Sequence, residues 1–462
     1  MKNKITLRPY QQKVLNDLKH ISSIGLFMGT GSGKTITSLF RYKENPTSNL
    51  LVICPSSVVN QWRATVDTFK DELKPNVKVW FDKKMKTATQ LNSFYVNVLD
   101  DVNKKYNNVI VVSLSKVKNI PILKDIVNDD WTVILDESHK IKELGTKRKP
   151  VQVTKVCLEL APLTDYKIIL TATPTQKDKG GYIDYYTQLK FLGYMDMDIN
   201  QFKATYCVEK KIQPPGSPFP IKIITGYKKA VKDIDDILQL TCRRYVPTFT
   251  DSEPQHIKVD LETPKNYRKI VKEKYFEELD LTNLPARRIA YKTLCSGTIM
   301  GTDIYKNRLT YHHNDIKKNW IKDFLTNTEE TVVIFYNFNV EREIIKAVCK
   351  ELGKRTIVLD GNNNHKYEDV QRDDYDVVIG QFKACGESID GLQYKSHICV
   401  YYSTPESSLE YRQALGRINR DGQTKMPIYY YLVCEKTIES KIYDMISSKI
   451  EFSETILNNL CV

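Results

Sequence analysis

The feature that most restricts the fold of this chain is a glycine-rich turn between an apolar run and a helical pattern. The turn reads Met28-Gly29-Thr30-Gly31-Ser32-Gly33-Lys34-Thr35 and directly follows the apolar residues 24–27. In a strand–turn–helix unit of this kind, consecutive backbone N–H groups point at a phosphate chain, and Lys and Thr side chains add a cation and a Mg²⁺ ligand. The pattern predicts a nucleoside triphosphate site, with an ordinary glycine-rich turn as the alternative. The residues assigned to this site are Gly31, Ser32, Gly33, Lys34 and Thr35.

Short apolar runs separated by helical stretches continue after this loop and predict a parallel sheet in an α/β fold. The runs cover residues 50–54, 109–112, 133–135 and 167–170. Small or polar residues follow each run directly. Because ligands bind at the carboxyl ends of parallel strands, we expect the four polar clusters to meet at one edge of the sheet.

The third cluster, Asp136-Glu137-Ser138-His139, carries the candidate catalytic carboxylates. A carboxylate that ends a buried strand beside a phosphate loop can hold Mg²⁺, and a second one can orient or deprotonate the attacking water. We assign Asp136, together with Thr35, to the metal ion and Glu137 to the water. Capping of the following helix is the alternative role.

A second set of strand-like runs predicts another α/β lobe, which has no phosphate loop of its own. The runs cover residues 332–335, 356–359, 377–379, 398–401 and 428–433. We predict a first, ATP-binding lobe over residues 1–200, a mostly helical insertion and linker over 201–325, and a second lobe over 326–462.

The composition suits two or three globular domains. The chain has 462 residues, and 41% of them are hydrophobic. Its net charge of +13 is compatible with a nucleic acid partner, because a cation that neutralises a phosphate releases counterions. A solvated lysine-rich surface is the other interpretation. The ten cysteines form no C-x-x-C pair, so neither a zinc site nor a disulfide framework is predicted.

Two patterns bear on location. No signal-peptide pattern is present at the N-terminus, and no apolar run approaches the roughly 20 residues that a membrane span requires. We therefore expect a cytoplasmic protein without a membrane partner, in a bacterial or phage-infected host cell.

Two polar segments are candidates for contacts with the nucleotide. Gln11 lies at the start of a helix just before the phosphate loop, where an amide can read an adenine edge, although a polar helix start is the simpler interpretation. Residues 413–420 have helical character, which places Gln413, Arg417 and Arg420 on one face. Paired arginines suit phosphate capture, and a solvated basic face is the alternative.

These motifs, in this order, resemble the superfamily-two helicases and, more narrowly, the Swi/Snf-related DNA translocases. The resemblance covers nearly the whole chain, and the compact chain looks more like the helicases of bacteriophage replication regions than like chromatin remodellers. The segments that carry it are Leu7–Gln11, Thr30–Thr35, Ile53–Pro55 with Gln61-Trp62, Asp136–His139, Leu170–Pro174, Val333–Asn337, Gly386–Gly391 and Gln413–Arg420.

The resemblance implies two RecA-like lobes that close on ATP and Mg²⁺ while DNA lies across both lobes. In the ATP site, Gln11 would contact adenine, Lys34 the phosphates, and Arg417 with Arg420 the γ-phosphate; Gln413 joins this set. The residues that would couple the cleft to DNA are His139, Thr171 and Thr173. Those that would contact the DNA backbone are Ser56, Ser113, Lys116, Asn337, Lys383 and Ser388.

The function predicted is that of an ATP-dependent translocase or remodelling helicase acting on duplex, forked or branched DNA in phage-type replication or recombination. A strand-separating helicase is the first alternative. The second is an ATP-gated DNA-binding switch that recruits replication or nuclease partner proteins.

Overall fold

In the computed structural model, the chain divides into two compact units, Met1–Pro247 and Thr248–Val462. The structure describes residues 6–81, 87–102, 106–145, 150–175, 181–213, 220–245, 253–361, 366–385, 391–448 and 460. Each unit is built on a parallel β-sheet of its own.

The first unit alternates strands and helices. Its strands are β1 (Ile24–Met28), β2 (Asn49–Cys54), β3 (Val77–Phe81), β4 (Asn107–Ser113), β5 (Trp131–Asp136), β6 (Tyr166–Leu170), β7 (Cys207–Ile212), β8 (Ile221–Tyr227) and β9 (Cys242–Tyr245). Its helices are α1 (Pro9–Asp17), α2 (Lys34–Glu44), α3 (Val59–Leu73), α4 (Ala88–Val102), α5 (Leu114–Val117), α6 (Leu123–Ile126), α7 (Gln152–Leu160), α8 (Tyr186–Leu192), α9 (Ile199–Tyr206) and α10 (Lys232–Thr241).

Among the described residues, the sheet of this unit has the strand order β3-β4-β2-β5-β6-β1-β9, with every pair parallel. Strand residues alternate between two apolar clusters: Leu50 and Val52 face one, Leu51 and Ile53 the other. Because both faces are covered, these strands are continuous apolar runs in the sequence.

The second unit begins with a strand and also alternates. Its strands are β10 (Gln255–Leu261), β11 (Tyr275–Phe276), β12 (Leu279–Asp280), β13 (Thr298–Thr302), β14 (Arg308–His312), β15 (Val332–Tyr336), β16 (Thr356–Leu359), β17 (Val377–Gln381), β18 (Ile398–Tyr401) and β19 (Ile428–Cys434). Its helices are α11 (Tyr267–Glu273), α12 (Leu284–Cys295), α13 (Ile316–Thr326), α14 (Asn339–Glu351), α15 (Lys366–Gln371), α16 (Phe382–Cys385), α17 (Leu392–Lys395), α18 (Ser408–Leu415) and α19 (Ile438–Ser447).

The parallel sheet of the second unit has the order β10-β19-β18-β15-β17-β16 in the part of the chain that is described. Every apolar run predicted for this lobe is one of its strands. Two parallel sheets flanked by helices confirm the predicted α/β class with two tandem RecA-like lobes.

The segment 201–325, predicted as an insertion and linker, is divided between the two units. Strand β9 is the edge of the first sheet, and β10 is the edge of the second, so each end of the segment contributes to a lobe. Beside its helices the segment contains the antiparallel hairpins β7–β8, β11–β12 and β13–β14.

None of the helices in the described ranges is long and apolar enough to cross a membrane. Eight of the cysteines, among them Cys54 and Cys434, are buried free thiols.

Candidate nucleotide-binding site

The phosphate loop joins the end of β1 to the start of α2. Gly31 and Gly33 have φ angles of 74° and 73°, in the left-handed region that glycine adopts without strain. The Ser32 hydroxyl donates to the carbonyl of Gly29 at 2.7 Å and closes the turn. The loop therefore curls over the N-terminus of α2, where backbone N–H groups attract anions.

Two side chains at the start of α2 fit a triphosphate with its metal ion. The Lys34 ammonium donates to the carbonyls of Met28 and Gly29 at 2.9 and 3.1 Å, so it is folded back over the loop. The Thr35 hydroxyl is half-buried and has no hydrogen-bond partner among the described residues. A cation and an available hydroxyl at this place suit phosphate oxygens and Mg²⁺.

Gln11, at the start of α1, lies against the phosphate loop. Its amide nitrogen donates to the carbonyls of Ser32 and Gly33 at 3.3 and 3.4 Å, and its oxygen accepts from the Arg8 N–H at 2.9 Å. A Cβ on Gly33 would lie 2.4 Å from Gln11 Nε2, so this approach requires glycine. The structure brings Gln11 to the loop, and its contact with adenine stays a prediction.

The two candidate catalytic carboxylates lie at the carboxyl end of β5. Asp136 and Glu137 are 6% and 9% exposed. Asp136 accepts from the Glu137 N–H at 2.9 Å and from the indole N–H of Trp62 at 2.8 Å. Glu137 has a φ of 52°, an uncommon conformation for a residue with a side chain, and such strain gathers at functional sites.

The electrostatic environment shifts the pKa values of the two carboxylates in opposite directions. Burial, followed by the charge of Glu137, raises the pKa of Asp136. Burial also opposes ionisation of Glu137, but the hydrogen bond from His139 and the charges of His139 and Lys34 outweigh it and lower the pKa of Glu137. An adjacent cation favours the charged form of a carboxylate, so Mg²⁺ at Asp136 would oppose this rise. The assignment of Asp136 to Mg²⁺ stays a prediction.

A chain of hydrogen bonds joins the ends of β5 and β6. The Nδ1 atom of His139 lies 3.2 Å from Glu137 Oε2 and 3.0 Å from the Thr171 hydroxyl. That hydroxyl accepts from the Thr173 N–H at 3.0 Å. The structure therefore brings together all three predicted coupling residues, beginning at Glu137.

The predicted DNA contacts of the first unit lie at the ends of β2 and β4. The hydroxyls of Ser56 and Ser113 lie 2.8 and 3.2 Å from that of Ser115, a residue that the sequence analysis did not assign. Ser56 is exposed, Lys116 is half-buried, and Ser113 is buried. Ser115 joins Ser56 and Ser113, and Lys116 is the next residue along the chain. Contact of the three predicted residues with DNA stays a prediction.

In the second unit, Asn337 and Lys383 follow β15 and β17. The Asn337 amide donates to the Ser403 hydroxyl at 2.8 Å and to the Thr404 carbonyl at 2.7 Å, so it joins the ends of two neighbouring strands. Lys383 is exposed on α16. Ser388 lies outside the described residues.

The predicted helix over residues 413–420 is shorter in the structure. Gln413 belongs to α18, which ends at Leu415, because Gly416, a weak helix former, comes next. Arg417 and Arg420 therefore lie in the turn after the helix and do not share one helical face with Gln413. Arg417 is buried and Arg420 is half-buried.

Sequence reasoning missed two features of the site. Trp62 holds Asp136, yet the Gln61-Trp62 pair entered only as part of a family resemblance. Tyr245 of β9 stacks on Tyr10 with ring centroids 4.1 Å apart, and its carbonyl accepts from the Gly29 N–H at 2.7 Å. No local pattern signals the second feature.

Comparisons with known proteins agree with this geometry. The model of the family described as the SNF2-related domain matches residues 10–253. Protein p41 of Acyrthosiphon pisum secondary endosymbiont phage 1 is 23% identical and aligns over 98% of this chain and 98% of its own length.

Two further relatives are longer. A Bacillus subtilis (strain 168) protein named as an ATP-dependent helicase/translocase, YwqA, is 22% identical over 98% of this chain and 49% of its own length. Nucleoside triphosphatase I of Heliothis armigera entomopoxvirus is 24% identical over 80% of this chain and 50% of its own length. This chain thus spans about half the length of both proteins.

Proposed function

Because this chain belongs to the SNF2-related domain family, whose members are helicase-like ATPases, we propose that it is an ATP-driven translocase or remodelling helicase of duplex or branched DNA. Its setting is phage-type replication or recombination in the cytoplasm of a bacterium or an infected host. The relative of matching length is a phage protein, and another relative is named as a helicase/translocase. The net charge of +13 suits a polyanionic substrate.

One observation carries the proposal. A phosphate loop, a buried pair of carboxylates and a hydrogen-bonded chain lie at the carboxyl ends of β1, β5 and β6, which are neighbours in the sheet order β5-β6-β1. Ligands bind at this edge of a parallel sheet. A phosphate-binding turn beside ionisable carboxylates is the equipment of a nucleoside triphosphatase.

The chain's own residues then have distinct roles in hydrolysis. Lys34 binds the phosphates, and Thr35 and Asp136 hold the metal ion, which neutralises phosphate charge when bound. Glu137 stays ionised through His139 and Lys34, so it accepts a hydrogen bond from the attacking water and orients it. Arg417 and Arg420 supply positive charge to the transferring phosphoryl group, with Gln413 and Gln11 as further nucleotide contacts.

The chain from Glu137 through His139 and Thr171 to Thr173 links hydrolysis to DNA. A change in the hydrogen bonding of Glu137 alters the partner of the His139 ring nitrogen, and through it the Thr171 hydroxyl that holds Thr173. The residues proposed to contact the DNA backbone are Ser56, Ser113, Lys116, Asn337, Lys383 and Ser388. Backbone contacts of this kind position a protein without reading sequence.

Steady-state ATP hydrolysis tests the proposal directly. The rate is measured without nucleic acid and with duplex DNA, single-stranded DNA, forked DNA and RNA, at one salt concentration because affinity depends steeply on salt. We expect strong stimulation by duplex DNA. In a second assay, we expect the protein to displace a triplex-forming strand from a duplex. Stimulation by single strands alone contradicts duplex translocation, and a rate indifferent to every nucleic acid contradicts a motor.

A further inference from the structure

The β7–β8 ribbon is a part of the first unit that the nucleotide site does not use. Within the described residues, its two strands pair only with each other. Cys207 and Tyr227 at its base pack in or against the apolar core of the unit. Farther out, the ribbon is open to solvent, with residues 208–211 exposed on β7 and residues 222 and 223 on β8. The ribbon is therefore anchored at one end and uncovered over its outer part.

The ribbon itself is cationic. Residues 207–227 contain three lysines and one acidic residue, Glu209. Glu209 pairs with Lys222 at 3.2 Å. Lys210 and Lys211 have no ion-pair partner in the described part of the chain. Most of this positive charge is therefore not neutralised within the protein.

The strand register places two of these cations against each other. Lys211 lies directly opposite Lys222 across the antiparallel pair. Like charges at directly opposed positions destabilise a sheet. Glu209 compensates the charge of Lys222 but not that of Lys211, so a bound polyanion relieves the repulsion that remains between the two ammonium groups.

Both faces of the ribbon carry lysine. Successive strand residues point to opposite faces, so Lys210 lies on one face, and Lys211 and Lys222 lie on the other. A two-stranded ribbon fits the major groove of B-DNA, whose two walls are phosphate backbones. Lysines on both faces of the ribbon can therefore contact both walls of the groove. A single strand, by contrast, offers phosphates to only one face at a time.

We propose that the β7–β8 ribbon is a second DNA-binding element that enters the major groove of duplex DNA. Lys210 faces one phosphate backbone, and Lys211 with Lys222 faces the other. The proposal rests on the proposed function in that the substrate is duplex DNA. Contacts to phosphates make this binding independent of sequence, and it requires no ATP.

The test uses the full chain and a triple variant, Lys210→Ala with Lys211→Ala and Lys222→Ala. Fluorescence anisotropy gives the Kd for a labelled duplex and for a single strand of equal length, without nucleotide, at several salt concentrations. We expect the slope of log K against log salt for the duplex to fall by about 3, roughly one per lysine. The single-strand slope changes less.

A matched triple variant controls for the loss of three charges. Lys13→Ala, Lys19→Ala and Lys70→Ala remove exposed lysines of α1, the turn after it and α3, and this variant keeps the wild-type slope. Both triple variants keep the DNA-free ATPase rate, because none of these residues belongs to the nucleotide site.

Lys211→Glu separates binding from stability. It replaces the like-charge pair with Lys222 by an opposite-charge pair beside the existing Glu209–Lys222 pair, so the thermal midpoint stays close to that of the wild type. At the same time, duplex affinity falls and the salt slope decreases.

Several outcomes overturn the proposal. A wild-type slope in the Lys210/Lys211/Lys222 triple variant contradicts it, and so does an equal fall in the slope of the Lys13/Lys19/Lys70 control. An equal fall in the salt slope for the duplex and for the single strand contradicts insertion into a groove. If the wild-type protein binds no duplex, the proposed function is overturned as well. If the wild type binds duplex and the Lys210/Lys211/Lys222 variant binds it equally well, only the proposal for the ribbon is overturned.

Discussion

The first unit buries two carboxylates side by side, whereas the second buries a carboxylate against an ammonium group. Asp136 and Glu137 are adjacent carboxylates at the end of β5. Lys317 and Glu439, by contrast, are joined at 2.6 Å with both side chains 0% exposed. Lys317 also donates to the Tyr402 carbonyl at 2.6 Å, so its charge has two partners inside the protein.

The pKa shifts of the second pair follow from its geometry. Burial raises the pKa of Glu439. Burial opposes the charge of Lys317 too, but the nearby carboxylate of Glu439 outweighs it and raises the pKa of Lys317. Because the charged groups of Lys317 and Glu439 both have hydrogen-bond partners inside the protein, the ionised pair holds α13 and α19 together.

The difference separates a structural use of buried charge from a functional one. Removing one partner of a buried ion pair leaves the other charge uncompensated. Adjacent carboxylates repel each other and so do not stabilise the fold as a pair. They serve a function when a cation or a water molecule is bound. We therefore expect changes at the first site to affect chemistry and changes at the second to affect folding.

The largest effect on activity is expected for Lys34→Ala. Hydrolysis of ATP is nearly abolished because the phosphates lose their cation, while DNA binding stays measurable because the proposed DNA contacts involve other residues. Steady-state ATPase and DNA anisotropy assays measure both. Lys43→Ala, an exposed lysine of the same helix, is the control, and normal hydrolysis by Lys34→Ala shows that the site is misassigned.

Arg420→Ala extends the comparison to the catalytic role proposed for a residue of the second unit. We expect kcat to fall by roughly 10³-fold or more, as for arginines that stabilise phosphoryl transfer, with ATP affinity less affected. Single-turnover kinetics and nucleotide binding separate the two. Arg372→Ala, an exposed arginine of the same unit, is the control. Turnover at the wild-type rate excludes Arg420 from catalysis.

Glu439→Gln breaks the buried ion pair of the second unit. The free energy of unfolding falls by about 3–5 kcal/mol, because Lys317 keeps a buried charge without its counterion. Glu351→Gln, which removes the exposed partner of Lys322, costs about 1 kcal/mol or less. Urea unfolding compares the two, and equal small losses argue against a structural role for the buried pair.

Trp62→Phe has the smallest expected effect and sharpens the functional half of the comparison. Loss of the indole N–H frees the Asp136 carboxylate to rotate, so activity falls by roughly 10- to 100-fold, as for other groups that orient a metal ligand. The Mg²⁺ concentration for half-maximal rate rises as well. The control is Trp80→Phe, which removes a similar indole hydrogen bond, to Asn108, away from the site. An unchanged Mg²⁺ requirement in Trp62→Phe refutes the positioning role.

The sequence predicts the centre of both sheets well, and the reason is physical. Strands buried on both faces must be apolar throughout, so each forms a visible run. The edge strands β3 and β9 are partly exposed and mix polar with apolar residues. Their pattern is too weak to predict, which explains the differences at the sheet edges.

The site shows the same division between local and distant information. The phosphate loop depends on glycines a few residues apart and is visible in the sequence. The bond from Trp62 to Asp136 joins residues 74 positions apart, and that from Lys317 to Glu439 joins residues 122 apart. Such contacts form through tertiary packing, so spacing alone cannot predict them.

The most direct test is urea unfolding of two matched variants, Glu137→Gln and Glu439→Gln, each measured beside the wild type. Both remove one buried negative charge and keep the shape of the side chain. We expect Glu137→Gln to unfold only slightly below the wild type, because relief of the repulsion from Asp136 offsets the lost contact with His139. Its ATP hydrolysis is lost by roughly 10²- to 10⁴-fold, whereas Glu439→Gln unfolds at clearly lower urea. Equal destabilisation of the two variants would contradict the division between functional and structural buried charge.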